Sequence, residues 1–418
     1  MRRAVLVQRR LPGERSLLYE LRELVEAAGY SVAGEVEQVR HEDPKYNLGR
    51  GKVLELKSLV RRSGSDTVVF FNELRPSQAY NLRKKLGVEV KDRFEIILEI
   101  FAQRAGSREA KLQIELARLK RELSFAKEYI SLAKRGELHG FLGGGKYAVD
   151  TYYTYVSRRI ARIERELRRI RRQKNLRWKR RVSAGLYSVS LTGYTGAGKT
   201  TLFKALTGRE GYVDGKPFAT LSTLSKRIEI EGLPILVSDT IGFIDSLPDA
   251  LFDAFYTTLG ENTLADLIVL VIDVSEPESE VRRKLLASLS TLLNLAIPRG
   301  RILIAANKID AVAPPIVEKR VEMLRRYAVR VVPVSAKEGI GLDVLRRNIL
   351  ESLPGRSVDT IDIPYGESYL IREIGRHCRI IRLHDTGRGI RLLVEGRGEV
   401  IDRYKGRLEK AAYKPRGR

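Results

Sequence analysis

Along the first hundred residues, short apolar runs take turns with helix-spaced apolar positions. AVLV from Ala4, VAGEVEQV after Ser31 and VVFF from Val68 read as strands, while LLYELRELVEAAG after Ser16, KVLELKSLV after Gly51 and SQAYNLRKKLG from Ser77 carry helical spacing. That alternation predicts a parallel sheet with helices on its faces, a small α/β domain over residues 1–100. From Phe101 the period changes. Leu112, Leu116, Leu119, Leu123, Ala126 and Ile130 step by three and four, and so do Val156, Ile160, Ile163, Leu167 and Ile170 beyond the glycine-rich stretch GELHGFLGGGKYAVD. Two such helices joined by a loop predict an antiparallel hairpin over 101–182, with each apolar stripe buried against the other. Strands and helices alternate again over 183–356. The last segment, 357–418, reads as the strands TIDI, RIIRLHD and IRLLVEG around one helix near Ser368, a small α+β domain ending in a frayed basic tail.

Charge changes the picture of the hairpin. Between Arg158 and Arg181 there are thirteen Arg or Lys against Glu164 and Glu166. A helix that needs only a solvated face normally mixes signs at i,i+4 spacing, so this excess of one sign predicts contact with a phosphate backbone, with Trp178 as a stacking group. The whole chain, 418 residues, holds 77 Lys and Arg against 52 Asp and Glu, a net charge of +25, which points to a polyanionic partner. With the single cysteine Cys378, neither an intramolecular disulfide nor a cysteine metal cluster can form. No apolar run reaches membrane-spanning length, and the expected location is the cytoplasm.

The densest chemistry lies in LTGYTGAGKTTLF. Gly193, Tyr194, Thr195, Gly196, Ala197, Gly198, Lys199, Thr200 and Thr201 follow the strand-like LYSVSL and open the helical KTTLFKALTG. A loop in that position curls so that successive backbone N–H groups face phosphate oxygens, which side chains at the tight positions would obstruct. Lys199 supplies a cation to the β- and γ-phosphates, and the Thr200 hydroxyl is a Mg²⁺ ligand. The similar string GGGK at Gly143 has no strand before it and reads as a flexible turn, while Gly49, Gly51 and Lys52 lack a following Ser or Thr and read as a helix-start turn.

A phosphate loop does not choose its base. AANKID after the strand-like ILIAAN does: the Asp310 carboxylate can accept from the ring N–H and the exocyclic amine of guanine, donors that adenine lacks on that edge. Asn307 braces the site, the Lys308 stem covers the base, and VVPVSAKEG gives Ser335, Ala336 and Lys337, of which the Ala336 backbone N–H suits the guanine carbonyl. Between these strings, LPILVSDTIGF delivers Asp239 to the Mg²⁺ side and sets Thr240, Ile241 and Gly242 beside the γ-phosphate. Phe218, Ala219 and Thr220 lie upstream, where the Thr220 hydroxyl completes the metal shell or is simply a buried strand threonine. Phe243 follows Gly242 at the place where many GTPases carry a water-orienting glutamine, so the source of that function is open.

In the order GYTGAGKT, FATL, DTIGF, NKID and SAK these strings resemble the translation-factor class of GTPases, and FATL with DTIGFIDSLP is similar to the HflX family of ribosome-associated GTPases. PKYNLGRGKVLEL, FNELRPSQAYNL and DRFEIILEIFAQRAGSREAKLQIELA are similar to that family's N-terminal domain and first long helix. The resemblance implies an α/β chain: a P-loop GTPase domain preceded by a small α/β domain with a long helical hairpin, and followed by a small α+β domain. It implies GTP hydrolysis with Mg²⁺, GTP and GDP as ligands, the large ribosomal subunit and its RNA as partner, ribosome splitting or rescue in some members, and a monomer when free, without stable membrane insertion. Two alternatives stay open from the residues alone: an RNA-remodelling nucleotidase with a second nucleotide site in the N-terminal domain, and a GTPase held on anionic lipid by its basic face.

Overall fold

The computed structural model describes residues 2–134, 145–208, 224–239, 265–328 and 330–412, and the chain divides into two compact units whose boundary in the main chain falls after Ile170.

The first unit starts with β1 (Arg2–Arg10), α1 (Leu18–Ala27), β2 (Tyr30–Val39), α2 (Arg50–Ser63), β3 (Thr67–Phe70), α3 (Pro76–Leu86), β4 (Glu89–Asp92) and α4 (Arg93–Arg104). Its four strands are parallel in the order β2-β1-β3-β4. Ala4–Val7 and Thr67–Phe70 are buried along their whole length, as a parallel sheet covered on both faces requires. Val5, Val7, Val68 and Phe70 pack with Leu56 of α2 and Leu82 of α3. Sequence patterning gives no sign of β4, because three of the four residues in Glu89–Asp92 are charged. In the fold Lys91 is buried with its ammonium on Glu99 and 2.8 Å from the Tyr30 hydroxyl, so a strand with a buried cation looks like a loop in a hydropathy pattern.

The hairpin consists of α5 (Arg108–Lys134) and α6 (Gly145–Ser183). Leu116, Ile163 and Leu167 are buried between them, flanked by Leu112, Leu119 and Ile160. Arg159 to Glu115 at 2.7 Å and Arg108 to Glu166 at 2.6 Å tie the helices in antiparallel register. Asp92 anchors the middle of α5 through Arg121. Its Oδ1 caps α4 by accepting from the Glu95 N–H at 3.2 Å and receives Arg121 Nη1 of α5 at 2.9 Å, while Oδ2 takes the Leu74 N–H at 3.1 Å. One expectation is corrected here: Gly145 and Lys146 are the first residues of α6 and not turn residues. The Tyr152 hydroxyl reaches Glu122 at 2.9 Å about two turns inside, and a helix already paired there can extend back to Gly145.

The second unit carries β5 (Tyr187–Gly193), α7 (Lys199–Thr207), β6 (Leu224–Ile230), β7 (Leu233–Asp239), β8 (Leu267–Asp273), α8 (Glu278–Asn294), β9 (Ile302–Asn307), α9 (Pro314–Arg325), β10 (Arg330–Pro333) and α10 (Leu342–Ser352). The sheet order is β10-β9-β8-β5-β7-β6, parallel except for the antiparallel β6–β7 pair. After β5 the chain builds outward on one side through β7 and on the other through β8, so the carboxyl end of β5 is a topological switch point, where open α/β sheets hold ligands. A second sheet follows: β11 (Arg356–Pro364), α11 (Tyr369–Gly375), β12 (Arg379–Asp385) and β13 (Gly389–Arg397), with β13 central and antiparallel to both neighbours, then α12 (Gly398–Ala412). The expected frayed tail is therefore helical as far as Ala412. Val400, Ile401, Tyr404 and Leu408 bury one face of α12 against Ile361, Ile363, Leu392 and Val394, and the intervening charges hide that stripe in the sequence.

Candidate functional site at the end of β5

Leu191 and Thr192 are fully buried in β5, and the strand ends where Gly193 adopts φ +143°, against the Val271 carbonyl of β8, which leaves no room for a Cβ. The loop that follows turns through left-handed Gly196 and Gly198 into α7. Ala197 is buried, Thr195 is half-buried and Gly196 is exposed, so the loop presents one side to solvent and packs the other. Gly198 has a second duty. With φ +91°, a Cβ there would strike the Asn307 side-chain amide. Gly198→Ala is expected to lose nucleotide-dependent thermal stabilisation and to cost about 1–3 kcal/mol in the free protein, both read from thermal unfolding with and without GDP.

Lys199, the first residue of α7, folds back over the loop and donates to the Tyr194 carbonyl at 2.7 Å. Burial pushes its ammonium down to about 8, against the opposing pull of Asp239. The Thr200 hydroxyl donates to Asp239 Oδ2 at 2.8 Å, and Asp239, fully buried, ends β7, the strand paired with β5. A hydroxyl and a carboxylate side by side at the mouth of a phosphate loop are hard oxygen donors that suit Mg²⁺. Among the described residues no group of three or more His, Cys, Asp or Glu is placed to hold a metal ion. The Thr201 side chain is half-buried one residue further along α7.

The base side is built from the ends of β9 and β10. Asn307, buried at the last position of β9, donates from Nδ2 to the Ala197 carbonyl at 2.8 Å and accepts at Oδ1 from the Ala336 N–H at 2.9 Å. A buried amide must be satisfied at both ends, and this one straps the phosphate loop to the segment after β10. The Ala336 N–H, offered to a guanine carbonyl on sequence grounds, is thereby engaged by Asn307. Lys308 takes a left-handed backbone, φ +67°, and its ammonium lies 2.5 Å from Asp273 Oδ2. Asp310 is exposed in the turn Ile309–Ala311. Ser335 is buried and its Oγ accepts the Glu338 N–H at 3.1 Å, which closes the turn that carries Ala336 and exposed Lys337.

The structure thus gathers Gly193 to Thr201, Asp239, Asn307, Lys308, Asp310 and Ser335 to Lys337 around one edge of one sheet. Phe218, Ala219, Thr220, Thr240, Ile241, Gly242 and Phe243 lie outside the described residues. Sequence reasoning missed two neighbours. Asp273 ends β8 beside Asn307, and Lys284 of α8 places its ammonium 5.7 Å from the centre of the Tyr194 ring and 2.5 Å from Glu276. The signal for Asp273 was present: a carboxylate that closes the otherwise apolar strand LIVLVID stands at the ligand edge of a doubly wound sheet. No helix among the described residues is long and apolar enough to cross a membrane.

Comparison with known proteins finds GTPases along most of the chain. Residues 15–102 match a family described as the N-terminal region of GTP-binding GTPases, residues 104–181 the middle region of such GTPases, and residues 188–308 a family described as 50S ribosome-binding GTPase. The chain is 59% identical over 411 residues to the GTPase HflX of Thermofilum pendens, covering 97% of each. It is 42% identical over 359 residues to the GTPase HflX of Thermococcus kodakarensis, covering 84% of this chain and 81% of that one. A crystal structure of SsGBP in complex with GDP superposes with a TM-score of 0.52 at 30% identity, covering 84% of this chain and 98% of that one.

Proposed function

This chain belongs to the HflX family of GTPases and is a GTP phosphohydrolase, and from that premise we propose that it works on the large ribosomal subunit in the cytoplasm, with hydrolysis that is slow alone and stimulated by the subunit. The observation that carries the nucleotide half is the Asn307 amide, which ties the phosphate loop at Ala197 to Ala336, with Asp310 three residues further along the same turn. Both ends of one guanosine nucleotide would be held by a single strap.

In this reading the Gly193–Thr201 loop and Lys199 hold the β- and γ-phosphates, Asp310 takes the two guanine donors, and Lys308 lies against the base. Thr200 and Asp239 would hold Mg²⁺, which when bound neutralises charge on the phosphate oxygens. Thr220 is proposed for the same shell, and Thr240 to Gly242 for the γ-phosphate. Phe243 has no group that could orient a water, so turnover in the free protein should be slow until a partner supplies one. The four segments 1–100, 101–182, 183–356 and 357–418 are proposed as working parts, with the hairpin as the RNA-facing one and splitting or rescue of ribosomes as the outcome.

For the hairpin, Arg168, Arg169 and Arg172 are exposed on α6. Reversing all three to Glu should weaken co-sedimentation with large subunits about tenfold or more at moderate salt and make the remaining binding less salt-dependent, because fewer counterions are released. GTP hydrolysis that ran equally fast with and without large subunits would remove the stimulated mechanism. Binding to anionic vesicles in preference to subunits would remove the ribosomal partner.

A further inference from the structure

We propose that Asp273 is a positioning residue for the nucleotide: its carboxylate holds Lys308 along the ligand edge of the sheet and so slows release of the bound guanosine diphosphate. The inference rests on the reading of Asn307 to Asp310 as the base site and adds to it a residue outside the strings that define that site.

Three observations lead there. Asp273 and Asn307 are register partners on adjacent strands, and the Val274 N–H donates to the Asn307 carbonyl at 3.0 Å, so the two strand ends are locked side by side. Lys308, the next residue, is left-handed, a setting that a side chain with a Cβ rarely adopts unless its surroundings enforce it. Its 2.5 Å contact with Asp273 Oδ2 is one enforcing interaction, and the Ala311 N–H donating to the Lys308 carbonyl at 3.1 Å is another. The Asp273 carboxylate is itself fixed. Oδ1 accepts the Ser275 N–H at 2.9 Å and the Ser275 hydroxyl at 2.5 Å, which leaves Oδ2 directed to the ammonium.

Asp273 also shares a cleft with Tyr194 and Thr195 of the phosphate loop, so the carboxylate that holds Lys308 stands beside the loop that takes the phosphates. An unrestrained lysine would have to lose its side-chain freedom each time a nucleotide bound. One already pinned through its tip has less to lose, which favours the bound state chiefly through slower departure. Asp273 is nearly buried and Lys308 partly exposed, so the pair is screened less than a surface pair and more than an internal one.

The variant that separates the two ends of the carboxylate is Asp273→Asn. The amide oxygen can go on accepting from Ser275, while an NH₂ faces the Lys308 ammonium in place of an anion. Release of a fluorescent GDP analogue from the full chain, measured by chase with unlabelled GDP, should speed up about three- to tenfold in Asp273→Asn. In a Lys308→Ala background the same change should alter release less than about twofold, because the interaction it removes is already gone. Equal acceleration in both backgrounds would mean that Asp273 acts only through the Ser275 turn and would overturn the proposal, as would unchanged release in Asp273→Asn. If the unsubstituted protein retained no GDP at all, the base-site reading itself would fail. If Asp310→Asn still moved preference to xanthine while Asp273→Asn did nothing, only the positioning role would be lost.

Discussion

Replacing Asp310 by Asn should lower affinity for GTP about 10²- to 10³-fold and make xanthosine triphosphate the better ligand. A carboxylate offers acceptors to both the ring N–H and the exocyclic amine of guanine. An amide keeps one acceptor and turns a donor toward the amine, so one hydrogen bond becomes a clash of two donors. Xanthine carries a carbonyl at that carbon and accepts from the new amide. The loss is specific because the turn holding the residue does not depend on the side chain: the Ile309 N–H donates to the Val334 carbonyl at 3.4 Å and the Ala311 N–H to the Lys308 carbonyl at 3.1 Å. Asp310 is exposed, and among the described residues no hydrogen bond or ion pair to its side chain is present, so folding stability should move by less than about 0.5 kcal/mol. Titrations with fluorescent GTP and xanthosine triphosphate, alongside thermal unfolding, check both halves. Unchanged GTP affinity in a folded variant would remove Asp310 from the base site.

How much of this was readable beforehand differs by region, for physical reasons. The strands Ala4–Val7, Val68–Phe70 and Leu267–Ile272 are covered on both faces, so their apolar runs announce them without help from any motif. The phosphate loop is legible because backbone geometry dictates residue type: Gly193 and Gly198 have no space for a side chain, and that restriction is written directly in the sequence. The strand Glu89–Asp92 and the helix Gly398–Ala412 were hidden because their buried faces are interrupted by charges that find partners only in three dimensions. Lys91 sits on Glu99, and Lys405 reaches Asp359 at 2.5 Å. The internal economy of the site was also out of reach. No spacing rule says that the Ala336 N–H turns to Asn307 or that Asp273 holds Lys308, since each joins different strand ends, and none says that Lys199 folds back five residues onto the Tyr194 carbonyl.

Affinity for GDP should fall about tenfold between pH 7 and pH 9, and the cause is Lys199. Its ammonium is buried, and desolvation lowers it to about 8 while the Asp239 carboxylate only partly restores it. At pH 7 nearly every molecule carries the cation that phosphate requires, whereas at pH 9 about one in ten does, and a bound polyphosphate then has to draw a proton in with it. The sign follows: nucleotide raises the lysine's proton affinity, so binding takes up protons and weakens as pH climbs through 8. Stability of the free fold runs the other way. The folded value lies below the unfolded one, so the unfolded chain holds the extra proton between roughly pH 8 and 10.5, and over that window the fold gains stability as pH rises. Lys199→Met removes the buried cation and should therefore raise the thermal midpoint of the nucleotide-free protein at pH 7 while abolishing tight GDP binding, since a residue kept at a cost in stability is kept for its ligand. Isothermal titrations of GDP across pH 7–9, in buffers of different ionisation heat, count the protons directly. An affinity flat across that range would mean that Lys199 is fully charged before the phosphates arrive.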